Sequence, residues 1–241
     1  TLTLTNTSDP RKTMYFPKFD WPRISNPYLK FPLSDSVIED VIIKENNAIK
    51  EIENSIANNP DDIAALIIEP IQGEGGDNHF RNEFFVSLRE LCDEHEMLLI
   101  FDEVQTGIGI TGKMWAHEHF SVKPDVISFG KKTQVCGLLC GDRIDDIEKN
   151  VFVESSRINS TFGGNLVDMM RFKLILDIIE QENLVDNARN LGEYLLSRLM
   201  TMADDFPGFV INPRGLGLFA AFDLPSGTER DKVCSKSMDK K

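Results

Sequence analysis

The chain has 241 residues and 41% hydrophobic content, enough to bury the core of one large domain or of one domain and part of a second. Its net charge of −13 argues against a surface that binds nucleic acid or an anionic membrane, because phosphate groups would be repelled. No apolar run approaches the roughly 20 residues that cross a bilayer, so we expect neither a nucleic-acid nor a membrane partner.

The cysteine pattern favours a reducing compartment, and we expect a cytoplasmic protein. The four cysteines form no Cys-x-x-Cys motif, and Cys92, Cys136 and Cys140 fall in segments that resemble core helix or strand. We therefore expect small buried thiols rather than disulfides or metal ligands. The sequence starts at Thr1 and ends in the polar stretch "RDKVCSKSMDKK", with no obvious closing element. We expect an internal piece of a longer protein, whose targeting signals lie outside the sequence.

The first elements in chain order are an irregular segment and a long helix. Five prolines recur among aromatic side chains before residue 35, which predicts an extended segment. Ser34 or Asp35 can cap a helix that runs to about Asn58. Its apolar stripe consists of Val37, Val41, Ile49, Ile52 and Ile56.

Strands and helices then alternate. The runs "IAALIIEP", "MLLIF", "DVISF" and "CGLLCG" predict strands, and the first three are apolar enough to be covered on both faces. Helices are predicted around Phe84–His95, briefly around Trp115–Phe120, from Asn165 to about Gln181 and from Leu184 to about Ala203, before a closing strand in "GLGLFAAFDL". This order predicts an α/β fold with a mostly parallel sheet flanked by helices.

Two charged residues follow separate strands of this sheet. Asp102 ends "LLIFD", and Lys131 follows "DVISFG". Ligands of parallel sheets bind beyond the carboxyl ends of the strands, where both side chains would lie. Each residue alone is equally typical of a helix cap or of solvated surface, so only their combination indicates a site.

A nucleotide triphosphatase is the first alternative, since "LLIFDE" resembles a magnesium-binding strand and "GIGITGKM" resembles a phosphate loop. Met114 stands where the loop needs a Ser or Thr hydroxyl for magnesium. The acid and the loop would also follow the same strand, whereas in phosphate-loop enzymes they come from different strands. We reject this interpretation.

Pyridoxal-phosphate chemistry suits the pair better. A lysine must be neutral to attack the cofactor aldehyde, which desolvation in a cleft promotes. An acid must face the pyridine nitrogen, so that the protonated ring can accept electrons. Asp102 and Lys131 meet these two needs if their strands are neighbours.

Longer motifs carry a family resemblance. "ALIIEPIQGEGG", "LLIFDEVQTGIGITGKMWAHEHF" and "PDVISFGKK" resemble the class III aminotransferases of the fold-type I pyridoxal-phosphate superfamily, and the match continues to about Pro225. The resemblance implies a cofactor-binding large domain over residues 1–180. Residues 181–241 would then form a connecting helix and the beginning of a smaller C-terminal domain.

Two groups of enzymes within this class compete. "FGKKTQVCG" and "RINSTFGGN" resemble those that take the terminal amine of L-lysine, whereas "FDWP", "EGGDNH" and "TGKMWAHEH" also occur in those that act on 4-aminobutyrate. We favour the first group. The expected reaction converts L-lysine and 2-oxoglutarate into 2-aminoadipate 6-semialdehyde and glutamate by a ping-pong mechanism. A different kind of alternative is a non-catalytic homologue that serves as a dimerisation partner.

The resemblance also implies roles for individual residues. Lys131 resembles the Schiff-base lysine that also moves protons, and Asp102 resembles the acid that pairs with the pyridinium. Gln105 is similar to a residue that hydrogen-bonds the ring oxygen of the cofactor. Thr161 resembles a threonine that reaches the phosphate in the partner subunit, which implies a homodimer with shared active sites. Each is also typical of an ordinary loop.

Substrate recognition is implied for Glu74 and, more weakly, for Asn159. Glu74 resembles a switch that masks a carboxylate-binding arginine in one half-reaction and frees it in the other. In the family this arginine lies beyond Lys241, and the phosphate cup lies before Thr1. Neither Arg214 nor Arg230 matches the position of the arginine, so we expect the 241-residue piece alone to have little activity.

Overall fold

The computed structural model describes residue 4 and residues 10–158 and 160–239. Its helices are α1 (Asp35–Asn58), α2 (Asn82–Glu94), α3 (Leu166–Gln181), α4 (Leu184–Asp205) and α5 (Gly227–Met238). Its strands are β1 (Ala65–Ile68), β2 (Ile71–Gln72), β3 (Asn78–His79), β4 (Leu98–Asp102), β5 (Val126–Phe129), β6 (Gly137–Cys140), β7 (Ile211–Leu216) and β8 (Phe219–Asp223).

The main sheet has the strand order β1-β4-β5-β6. β4 pairs in parallel with β1 on one side and with β5 on the other, so the strands that precede Asp102 and Lys131 are neighbours and the mostly parallel sheet is confirmed. β6 was predicted as a further strand, and it runs antiparallel to β5 because only a short connection separates the two. The register places Asp102 opposite Ser128, which aligns the carboxyl ends of β4 and β5.

The predicted helix starts are largely confirmed. Ser34 accepts a hydrogen bond from the backbone N–H of Val37 at 3.3 Å and so caps α1. Asn165 caps α3 in the same way through the N–H of Asp168. Both caps satisfy backbone donors that the first turn of a helix leaves unpaired.

The hydrophobic core lies where α1 and α2 cover one face of the sheet. The ring of Phe85 on α2 lies 5.3 Å from that of Phe101 on β4 and 4.5 Å from that of Phe120. Phe85 and Phe101 are fully buried. Burying a side chain of this size contributes about 1.5–3 kcal/mol, so this cluster holds β4 firmly beneath the site at its carboxyl end.

The C-terminal part differs from the sequence prediction in two places. The single closing strand is in fact an antiparallel hairpin of β7 and β8, because Leu216 and Phe219 pair across a turn at Gly217, where φ is +57°. The polar end of the chain forms α5, capped by Ser226, where no closing element was expected. Lys and Ser are compatible with an exposed helix that has a suitable cap.

The expected burial of three cysteines holds only for Cys92, which is buried on α2. Cys136 and Cys140 are exposed, as is Cys234, and all four are free thiols. The prediction was wrong for Cys136 and Cys140 because β6 lies at the edge of the sheet, where Leu138 and Leu139 are also exposed. Among the described residues, no helix has both the length and the apolar character needed to span a membrane.

A close approach between backbones joins α4 to the hairpin. A Cβ atom on Gly192 of α4 would lie 2.2 Å from the carbonyl carbon of Gly217. The next residue, Leu218, donates its N–H to the carbonyl of Ile110 at 2.9 Å, which ties the hairpin to the loop that follows β4.

Gly192→Ala should therefore destabilise the protein by about 1–3 kcal/mol, since the added methyl group overpacks the contact with Gly217. In an open helix the same change would stabilise by up to about 1 kcal/mol. Denaturant unfolding measures the difference, with Asn190→Ala at an exposed position of α4 as the control. A stabilised Gly192→Ala variant would contradict this packing.

Candidate active site

Asp102 lies half-buried at the carboxyl end of β4. Its Oδ1 atom accepts hydrogen bonds from the Ser128 hydroxyl at 3.0 Å and from the backbone N–H of Val104 at 3.1 Å. Within the described part of the chain, both hydrogen bonds to this carboxylate end on Oδ1. The side chain is thus oriented by its neighbours while Oδ2 can bind a further donor.

Lys131 opens a short 3-10 turn, Lys131–Thr133, beyond the carboxyl end of β5. Its φ of +52° lies in the left-handed region, which costs a non-glycine residue about 1–3 kcal/mol. Such strain persists only where the surroundings hold the residue in place. Here the turn is held by Thr133, which is buried and donates from its hydroxyl to the carbonyl of Val135 at 2.5 Å. The fold therefore fixes the backbone of Lys131 and leaves its side chain exposed.

Lys132 is partly buried, unlike the exposed Lys131 beside it. Its amine donates to the backbone carbonyl of Gln105 at 2.5 Å. Burial, followed by the charge of Lys131, lowers the pKa of Lys132 from its ordinary value. Lys132 thus ties the turn after β5 to the loop after β4, and Lys131 is the lysine that remains available to a ligand.

Glu69 is a further acidic residue of this site, and the sequence analysis did not identify it. Burial raises its pKa, the charges of Asp102 and Glu74 raise it further, and that of Lys131 lowers it. Asp102, Glu74 and Lys131 are thus the charged groups that act on this carboxyl group. Glu69 follows β1 as Asp102 ends β4, since Ile68 pairs with Phe101 in the register. The rule that identified Asp102 would also have identified Glu69.

Glu74 lies on a glycine-rich loop, residues 73–77, that reaches the same region. The backbone N–H of Gly73 donates to Glu69 at 3.0 Å, and a Cβ atom on Gly73 would lie 2.7 Å from the side-chain oxygen of Gln105. Gln105 therefore packs directly against this loop. Glu74 is exposed and forms an ion pair with Lys12.

Glu103 supports the loop between β4 and β5 from beneath. It is buried, and its carboxylate accepts hydrogen bonds from the backbone N–H of Ala116 at 2.6 Å and of His117 at 2.9 Å. The Thr106 hydroxyl donates to it as well, at 3.2 Å. A buried carboxylate needs such donors, and here they fix the segment that carries Gln105.

The structure does not bring Thr161 to this cluster. Thr161 is exposed, and none of the hydrogen bonds described for Asp102, Gln105 or Lys132 involves it. Asn159 lies outside the described residues. Asp102, Gln105, Lys131 and Glu74 thus share one region with Glu69, and Thr161 takes no part in the hydrogen bonds described for it.

Almost the whole chain is similar in sequence to known proteins. A family model described as "Aminotransferase class-III" matches residues 1–240. An L-lysine-epsilon aminotransferase of Mycobacterium tuberculosis is 52% identical over 97% of this chain and 51% of its own length. One from Streptomyces clavuligerus is 46% identical over 97% of this chain and 50% of its own length. A 4-aminobutyrate aminotransferase of Dictyostelium discoideum is 39% identical over 91% of this chain and 43% of its own length.

Solved structures agree with this result. A lysine aminotransferase from M. tuberculosis in the internal aldimine form has a TM-score of 0.94 and 50% identity, over 99% of this chain and 54% of that one. An ornithine aminotransferase from Plasmodium yoelii has a TM-score of 0.64 and 30% identity, over 73% of this chain and 46% of its own. The chain spans about half the length of the curated relatives it matches.

A buried histidine beside the loop at residues 73–77 gives the protein a pH-dependent stability. His79 is 7% exposed, and its Nε2 atom has no hydrogen-bond partner among the described residues. Burial, followed by the charge of Arg214 and that of His119, lowers its pKa from 6.5 to about 4. As the pH falls, the unfolded chain therefore binds a proton at this residue before the folded protein does.

The stability that neutral His79 contributes should be complete above about pH 6.5 and should be lost as the pH falls toward 4. His79→Phe should flatten the dependence of the unfolding midpoint on pH in this window, because a ring of similar shape cannot be protonated. Urea unfolding at several pH values measures the slope. An unaltered slope in His79→Phe would contradict the assignment.

Proposed function

This chain belongs to the class-III aminotransferase family, and from that premise we propose that the whole protein transfers the terminal amino group of L-lysine to 2-oxoglutarate. The products would be 2-aminoadipate 6-semialdehyde and glutamate. The semialdehyde product would leave before 2-oxoglutarate binds, as a ping-pong mechanism requires. The fold is that of the fold-type I pyridoxal-phosphate aminotransferases.

The observation that carries the proposal is the difference in identity between two groups of relatives. The L-lysine-epsilon aminotransferases are 46–52% identical to this chain, whereas the 4-aminobutyrate aminotransferases are 37–39% identical over a similar length. The difference supports lysine as the amine donor. The acceptor, 2-oxoglutarate, is supported only by what the family resemblance implies.

The residues present fit pyridoxal phosphate, the cofactor that class-III aminotransferases use. Both described donors to Asp102 bind Oδ1, so that Oδ2 can accept from a protonated ring nitrogen. Gln105 offers a side-chain amide on the next loop. Lys131 offers an exposed amine on a fixed backbone, beyond the strand next to Asp102. Amine, carboxylate and amide would thus hold different parts of one ring.

Each side chain then has a chemical task. When bound, the cofactor supplies an electron sink for the carbanion that forms at the amine-bearing carbon of the substrate. Lys131 would hold the cofactor through its aldehyde until the substrate amine replaces it, and its freed amine would then move a proton between that carbon and C4′ of the cofactor. Asp102 would keep the ring nitrogen protonated, because its negative charge favours the cationic form.

Substrate choice would depend on Glu74. L-lysine presents a terminal ammonium, whereas glutamate presents an α-carboxylate, so the same pocket must accept two different charge patterns. Glu74 would mask a carboxylate-binding arginine while L-lysine reacts and would release it for glutamate. Its exposed position and its ion pair with Lys12 support a side chain that can exchange partners, since such pairs are worth about 0–1 kcal/mol. Asn159 would contact the same substrate.

A homodimer with shared active sites would complete the cofactor site. Thr161 is exposed on a surface with Phe162, Leu166 and Val167, whose side chains are 80%, 86% and 70% exposed. An apolar surface of this kind supports contact with a second subunit, where the Thr161 hydroxyl would reach the phosphate. We also retain the division into a large domain at residues 1–180 and the beginning of a C-terminal domain at residues 181–241.

A direct comparison of amine donors would test the substrate. We expect the full-length protein to use L-lysine with a kcat/KM at least about 100-fold above that for 4-aminobutyrate, because a site with fixed polar groups rejects a substrate that lacks their partner. Both amines are assayed with 2-oxoglutarate as acceptor, and the glutamate formed is measured. Equal or reversed efficiencies would favour the 4-aminobutyrate aminotransferase alternative.

Reductive trapping would test the lysine assignment. Sodium borohydride should fix pyridoxal phosphate to the peptide that contains Lys131, and Lys131→Ala should abolish the adduct. Lys132→Ala should retain it, with weaker cofactor binding because the bond to Gln105 is lost. Peptide mass spectrometry locates the adduct independently of activity. Trapping on Lys132 would overturn the assignment, and no trapping in the natural protein would favour a non-catalytic homologue.

A further inference from the structure

Arg214 is a buried cation whose partners are mostly backbone carbonyls. It lies on β7 and is 3% exposed. Its Nε donates to the carbonyls of Gly76 at 2.9 Å and Asp77 at 3.1 Å, and Nη2 donates to Gly76 as well. Nη1 donates to the carbonyl of Asn212 at 2.7 Å, and Nη2 binds the Asp223 carboxylate at 2.8 Å. The fork of the guanidinium therefore joins the hairpin to the glycine-rich loop.

That loop needs an external support. Gly75, Gly76 and Asp77 have successive φ values of +103°, +124° and +49°, a backbone path that offers no repeating hydrogen bonds. Within the loop, the N–H groups of Gly76 and Asp77 reach the carbonyl of Gly73 only at 3.5 and 3.3 Å. Bonds from a cation are shorter and stronger, and this one cannot be deprotonated. Arg214 therefore adds strong hydrogen bonds at Gly76 and Asp77 to the pairing of β2 with β3 that closes the loop.

We propose that Arg214 is a positioning residue that holds the backbone beneath Glu74 and thereby sets how the enzyme divides its activity between its two amine donors. The inference rests on the proposed function, in which Glu74 masks an arginine for one substrate and frees it for the other. A side chain can alternate between two partners reproducibly only if its own backbone stays in place. Arg214 holds the carbonyls two and three residues beyond Glu74.

The direction of the effect follows from this arrangement. If the loop loses its anchor, Glu74 occupies a wider range of positions and masks the arginine for a smaller fraction of the time. An unmasked arginine favours the α-carboxylate of glutamate over the terminal ammonium of lysine. Loss of Arg214 therefore impairs the lysine half-reaction more than the glutamate half-reaction, whereas general damage to the fold impairs both.

Arg214→Met in the full-length holoenzyme tests the proposal, because methionine keeps much of the apolar stem and removes all five donors. Each half-reaction is followed separately by stopped-flow absorbance with one substrate. The ratio of kcat/KM for L-lysine to that for glutamate should fall at least about tenfold, an effect of the size typical of coupled residues. Arg214→Lys, which keeps a charge but loses the fork, should give a smaller fall.

Three comparisons separate positioning from general damage. Arg89→Met removes a partly buried arginine that pairs with Asp93 and Asp125 instead of with the loop, and should leave the ratio unchanged. Gly76→Ala places a Cβ atom 3.2 Å from Nη2 of Arg214, at a residue whose φ is +124°. It disturbs the same contact from the side of the loop and should also lower the ratio of L-lysine to glutamate activity. In a Glu74→Ala background, Arg214→Met should change the ratio no further.

Hydrogen exchange supplies a readout that does not depend on turnover. Backbone amides in residues 73–79 should exchange faster in Arg214→Met than in the natural protein. In Arg89→Met they should exchange at the natural rate. Unchanged exchange, or an equal loss in both half-reactions, would overturn the proposal. If the natural protein transaminates neither donor, the proposed function fails, and exchange still decides whether Arg214 anchors the loop.

Discussion

The parallel pairing of β4 with β5 is the constraint on which the site depends. It places Asp102 opposite Ser128, and the Ser128 hydroxyl then donates to the Asp102 carboxylate at 3.0 Å. The same alignment sets where Lys131 emerges, three residues beyond Ser128. A slip of one residue would turn Asp102 toward the opposite face of the sheet, because side chains alternate along a strand. The buried cluster around Phe85 and Phe101 resists that slip.

A second set of contacts surrounds this pair with parts of the chain that are far apart in sequence. Glu69 follows β1 and lies within electrostatic reach of Asp102 and Lys131. The loop beyond Glu69 carries Glu74 and is anchored by Arg214, which is 138 residues from Gly76. Asp102 and the loop at residues 73–77 therefore have separate supports, one in the sheet and one in the hairpin.

Much of this arrangement could be predicted from the sequence because its signals are local. Apolar runs of strand length, a serine at the start of α1 and acids or lysines directly after strands all act within a few residues. No local signal shows that β6 lies at the edge of the sheet, so Cys136 and Cys140 were wrongly predicted to be buried. Whether an apolar strand is covered on one face or two depends on what packs against it.

By itself, the sequence determined the α/β order, the family and the candidates Asp102, Lys131, Gln105 and Glu74, since each lies in a short motif with a recognisable chemical purpose. Only the tertiary structure decided that Glu69 joins them, that Lys132 is engaged by Gln105 and that Arg214 supports the loop. The reason is physical. A charge or a guanidinium acts through distance in space, and the fold alone brings residues 138 positions apart within 3 Å.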